Sequence, residues 1–157
     1  MSVLAVIRPD ETSLALFVHV LGAMVLVGGA FTALGALLLS WRGAGRDVAS
    51  YARLAFRALL FAALPGWIVM RIGAEWVYSE EGWSGVPDEP SWLGFGYVIA
   101  DGGGIILLVT LIVAGIGARR LRRDGGRGAL VRVATVLAAL LLVAYLVAVW
   151  AMSAKPD

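Results

Sequence analysis

The chain has 157 residues, 61% of them apolar and 15% charged, with a mean hydropathy of +0.88, whereas soluble domains run nearer ~45–50% apolar and ~25% charged. The absence of cysteine excludes a disulfide framework, a thiolate metal site and a dithiol redox pair. The formal charge of +2 is divided unevenly along the chain, and such segregation reads as membrane topology before it suggests nucleic acid.

Four apolar stretches follow one another, at 13–41, 51–78, 92–118 and 129–154. Each exceeds the roughly 18 residues that license a membrane span. Hydrocarbon offers no partner to an open backbone, so each is expected to be a helix. The expected fold is all-α, an integral membrane four-helix bundle forming a single transmembrane domain over 1–157, with no room for a separate soluble enzyme domain. The first stretch is far longer than the ~7–15 apolar residues of a signal peptide and is expected to stay attached. In the second, Pro65 and Gly66 should kink or loosen the helix. In the third, one continuous helix is expected. The alternative is a start at Asp101 as N-cap of the Gly102–Gly104 run, with 92–100 as an interfacial lead-in. No internal repeat is evident.

The connections orient the spans. The 42–50 loop and its flank hold Arg42, Arg46, Arg53 and Arg57, and the 119–128 loop and its flank hold Arg119, Arg120, Arg122, Arg123, Arg127 and Arg132. The 79–91 loop carries Glu80, Glu81, Asp88 and Glu89 and no base. The positive-inside rule makes the basic loops cytoplasmic, and both termini extracytoplasmic. Trp76, Tyr78, Trp83, Trp92 and Trp150 on one side, and Trp41 and Tyr51 on the other, match two interfacial aromatic belts. The acidic loop, irregular with Pro87 and Pro90, is long enough to fold over the outer face as a lid. Arg outnumbers Lys twelve to one, with Lys155 the lone lysine; this bias suggests a bacterial source and hence a bacterial inner membrane.

Ionisable groups inside the spans cost roughly 2.5–3.5 kcal/mol at mid-membrane and are expected to pair. At 1.5 Å of rise per residue, His19, Arg71, Asp101 and Tyr145 lie about 10–12 Å below the outer ends of their helices, with Glu75 one turn shallower than Arg71. Arg71 is expected to meet Asp101, with Glu75 as second partner. The plain reading of that meeting is an ion pair that fixes helix register; the functional one is a ligand or proton site. Arg57 is expected to snorkel. His19, the lone histidine, suits haem iron, copper or proton relay. Met24, Met70 and Met152 are available thioethers. A hydrogen bond from His19 to Glu75, Asp101 or Tyr145 is the plainer expectation. Gly22, Gly28, Gly29 and Gly35, and on the third span Gly102–Gly104, Gly115 and Gly117, allow close helix packing or the approach of a flat cofactor. Arg119, Arg120, Arg122 and Arg123 are expected to attract anionic lipid, and nothing points to nucleic acid.

The segment from His19 to Gly29, HVLGAMVLVGG, resembles the first-helix signature of CopD-like membrane domains, a His followed nine and ten residues later by a Gly pair. Leu26 stands where that group often has Trp. In layout the whole chain is similar to uncharacterised bacterial four-helix "predicted integral membrane protein" families sharing this pattern. The resemblance implies copper handling or, through related HemJ-like proteins, haem-linked oxidation. It carries over His19 as ligand and Gly28 and Gly29 as cofactor-contacting positions.

Three functions follow. The leading one is a small non-enzymatic inner-membrane protein that binds a ligand or serves as accessory subunit through the cluster of His19, Arg71, Glu75, Asp101 and Tyr145. The alternatives are a haem- or copper-binding redox or copper-handling protein using His19, and a proton or ion relay. A homodimer or a larger membrane complex stays open.

Overall fold

The computed structural model describes residues 10–43, 47–82, 91–124 and 128–154. They form four helices: α1 (Asp10–Arg42), α2 (Asp47–Glu80), α3 (Ser91–Asp124) and α4 (Ala129–Ala154). All four are long and apolar enough to cross a membrane. Among the described residues there is no strand.

The first three helices outrun the stretches marked by hydropathy. α2 begins at Asp47, inside the region expected as a loop. α3 continues to Asp124, so Arg119, Arg120, Arg122 and Arg123 ride its last turns rather than a loop. Arginine is a good helix former, and cations in a final turn complement the helix dipole. α3 is also continuous through Asp101 and the three glycines, which removes the alternative start there. The segment 83–90, with Trp83, Asp88, Glu89 and the expected lid, lies outside the described residues.

The outward faces are apolar. Only 28–33% of each span's most apolar window is buried. Phe17, Phe31, Phe61, Val98 and Ile105 are each more than 60% exposed. In water such a surface would be one continuous sticky patch; in lipid it is the solvated face. Trp41 and Trp150 also point outward, at opposite ends of the bundle.

Inside, the core is built from small residues that let backbones approach. Ala33, Ala52, Ala55, Ala63, Ala134 and Ala138 are fully buried. The tightest seam joins α1 to the antiparallel α2. A Cβ on Gly29 would lie 2.6 Å from the Ala63 backbone nitrogen, one on Gly66 2.5 Å from that of Leu26, and one on Gly73 2.5 Å from that of His19. Gly22 likewise faces the backbone of Met70. The glycines are seven residues apart on each helix, the repeat that keeps two helices in register along a shallow crossing. Gly28 and Gly35, by contrast, face open space.

α3 and α4 form the second antiparallel pair, with Gly117 opposite Leu130 and Val131. Phe56 and Trp67 of α2 fill the notches left by Gly115 and Gly104 of α3. Thr110 and Thr135, both buried, donate to the carbonyl one turn back in their own helices, at 2.7 Å each. α2 carries one irregularity. Leu59–Ala63 is a π turn, and the Leu64 N–H reaches back to the Leu59 carbonyl. The turn precedes Pro65, where loosening was expected, because proline brings no N–H and crowds the carbonyl four residues earlier.

The two pairs are not equally close along their length. The first part of α2 packs extensively on α3, whereas the backbone of its last part, beyond the π turn, stands farther off and reaches α3 through side chains. The bundle is therefore closed toward the basic connections and splayed toward the termini.

Candidate functional site

The splay opens a cleft of about 750 Å³ lined by all four helices. α1 contributes His19, Ala23, Met24 and Gly28; α2 contributes Met70, Arg71, Tyr78 and Glu81. α3 adds Tyr97 and Ala100, and α4 adds Tyr145, Val149 and Met152. The lining is overwhelmingly apolar, with a few polar groups, the usual character of a small-molecule site of ~300–1,000 Å³.

Arg71 organises one rim. Its Nε–H donates to Asp101 Oδ1 at 2.9 Å, and its Nη1 group donates to Glu75 Oε1 one turn along α2. The guanidinium also lies over the Tyr97 ring, 4.7 Å from its centre, and Tyr78 meets Tyr97 edge-on at 5.8 Å. The expected meeting of Arg71, Asp101 and Glu75 is thus present. Its setting is a rim rather than a buried core, since the Glu75 and Asp101 side chains are 55% and 59% exposed and that of Arg71 25%.

His19 stands apart from this cluster. Its Nδ1 lies 3.0 Å from the Met70 carbonyl oxygen. A carbonyl only accepts, so Nδ1 donates, and among the described residues Nε2 has no hydrogen-bond partner. The expected partners, Glu75, Asp101 or Tyr145, are replaced by a backbone group because Gly73 lets α2 come against His19 itself. Tyr145 is 3% exposed, and its hydroxyl has no hydrogen-bond partner among the described residues. It abuts α3 at Gly103, where a Cβ would sit 2.8 Å from the hydroxyl oxygen.

The glycine pair of the first-helix signature divides. Gly29 is packed on Ala62 and Ala63, so its missing side chain serves helix contact rather than a cofactor. Gly28 lines the cleft and remains open. Among the described residues no group of three or more His, Asp or Glu side chains is placed to hold a metal ion. The thioethers of Met24, Met70 and Met152 do share the cleft with His19.

Trp67 and Tyr97 were not singled out from sequence. The Trp67 indole N–H donates to the Ala100 carbonyl at 2.8 Å, one residue before Asp101, and so ties α2 to α3 at the foot of the cleft. A tryptophan far from either end of a span was the available signal, because a buried indole N–H needs a partner. Trp67→Phe keeps the packing against Gly104 and loses that bond. Unfolding in mixed micelles should show a loss of about 0.5–1.5 kcal/mol; an unchanged midpoint would remove the tie.

The chain matches no protein-family model, no curated protein and no solved structure.

Proposed function

We propose that this chain is a multi-pass protein of a bacterial inner membrane, with both termini outside, that acts as a binding or accessory subunit rather than as an enzyme. Its ligand is a small amphipathic molecule held in the cleft between the α1–α2 and α3–α4 pairs. The carrying observation is the cleft itself, of ligand size, walled by all four helices and closed at its base. The orientation rests on arginines gathered at one end, at Arg42, Arg53, Arg57, Arg132 and the last turns of α3, against Glu75, Glu80, Glu81 and Asp101 toward the other. The same arginines suit anionic lipid headgroups. Val20 and Met24 of α1 and Leu146 and Val149 of α4 line the cleft yet are exposed, so a ligand can enter sideways from the lipid.

Native mass spectrometry of the gently solubilised protein tests this reading. A stoichiometric small-molecule adduct is expected, lost when Ala23→Trp and Ala148→Trp together fill the cleft. A parent protein that, like the filled variant, runs at the mass of its polypeptide alone would overturn the proposal.

A second reading keeps the same cleft and makes its occupant a soft metal ion. It is supported by His19, turned by its Nδ1 contact so that Nε2 is left for another partner, and by three methionines in the lining of the same cleft, donor types that suit copper(I), and by the first-helix resemblance. The carbonyl contact that holds the ring is the usual outer support of a ligating histidine. Silver(I) serves as a redox-inert probe. One ion retained per chain after dialysis, and none in His19→Ala, is the result this reading requires.

A further inference from the structure

We infer that the cleft selects lipophilic cations over anions of the same shape; this rests on the binding reading above and names the ligand class. Among the described residues Arg71 is the only arginine or lysine lining the cleft, and its guanidinium is engaged by two carboxylates and covered on one face by Tyr97. Two acids therefore face one base at this rim. An arriving anion meets net negative charge and must displace Glu75 or Asp101 to reach the guanidinium. A cation meets attraction without displacing anything.

Medium and surface reinforce the preference. The interaction between unit charges is roughly fourfold stronger at the effective dielectric of a protein surface than in water. An apolar cleft beside lipid lies nearer the stronger case. The aromatic residues suit the same ligand, since a cation is drawn to the face of a tyrosine ring. The protein's own Arg71 over Tyr97 is an instance of that contact at the rim. Tyr145 adds a third tyrosine ring to the lining farther along, after Tyr78 and Tyr97, and Met24 and Met152 give a soft, adaptable wall. The occupant is accordingly a bulky apolar body bearing a delocalised or quaternary positive charge.

Equilibrium dialysis with the full chain in phosphatidylcholine nanodiscs tests this, with empty discs subtracting simple partitioning. The probes are tetraphenylphosphonium, tetraphenylborate and neutral triphenylmethanol. Saturable binding of the phosphonium at one per chain is expected, at least tenfold tighter than the borate. Glu75→Gln with Asp101→Asn should weaken the phosphonium at least tenfold while leaving triphenylmethanol within twofold. Retained triphenylmethanol binding shows that the variant still folds. If the borate binds as well as the phosphonium, or the carboxylate variant leaves the phosphonium unaffected, the inference is overturned while the cleft remains a binding site. If none of the three exceeds empty discs, both readings are overturned.

Discussion

Gly22→Leu is expected to prevent stable folding of the bundle. The seam between α1 and α2 leaves no space at this position: a Cβ would fall on the backbone of Met70. Backbone cannot rotate aside as a side chain can, so α1 must move away from α2 over several turns. That separation would also pull Gly66 from Leu26 and Gly73 from His19. Overpacking a core usually costs about 1–3 kcal/mol, and here the displaced atoms are main chain along a whole seam, so about 3 kcal/mol or more is expected. The measurement is the monodisperse yield and unfolding midpoint in mild detergent. Gly28→Ala and Gly35→Ala are the controls, because nothing lies within 4 Å of either added Cβ. Equal behaviour of Gly22→Leu and these controls would show that α1 and α2 do not interlock.

The second large effect is expected from reversing charge at the rim. Arg71→Asp leaves Glu75, Asp101 and the new carboxylate adjacent at the edge of an apolar cleft. Asp101→Arg leaves two guanidinium groups around Glu75. Each single change puts like charges together where lipid weakens screening, and a loss of about 2–3 kcal/mol is expected, near the lower end of the cost of unpaired charge in a span. The double variant Arg71→Asp with Asp101→Arg restores one opposite pair across α2 and α3. It should recover at least half of the loss in a thermal unfolding scan. A double variant no more stable than either single one would show that the pair has no part in holding the helices. The wild-type pair itself contributes less than these losses, because its carboxylates are more than half exposed.

The features legible in the sequence were those that depend on a residue's own transfer energy. A run of apolar residues long enough to span lipid has few choices of structure, so the four helices could be read from 13–41, 51–78, 92–118 and 129–154. Arg71 and Asp101, opposite in sign and similar in depth, could be paired for the same reason. Features set by backbone proximity were hidden. His19 was matched with Glu75, Asp101 or Tyr145, yet its Nδ1 meets the Met70 carbonyl, and a main-chain acceptor has no letter in the sequence. The glycines looked alike, but among the described ones only Gly22, Gly29, Gly66 and Gly73 would bring a Cβ within 3 Å of an opposing helix backbone, because the crossing of α1 and α2 selects every seventh position. The cleft was illegible for a related reason: it comes from the divergence of two helix pairs, which hydropathy does not encode. The helix ends at Asp47 and Asp124 were missed because the polar flanks continue to satisfy their own backbones after hydrophobicity has ended.

The π turn in α2 has a mechanical consequence. Ala63, at its end, lies opposite Gly29, and Gly66 lies opposite Leu26, the level at which the cleft begins. On one side of this joint α2 lies backbone-close to both α1 and α3; on the other it stays seamed to α1 at Gly22–Met70 and Gly73–His19 and reaches α3 only through the side chains of Trp67, Arg71 and Tyr78. Pro65 withholds a rung from the ladder at the same place, so the rod bends there with least resistance. A bend at this joint would carry α1 along with α2, so the width of the opening is governed by how that pair leans on α3 and α4 through three side chains, while the Ala-lined base stays shut.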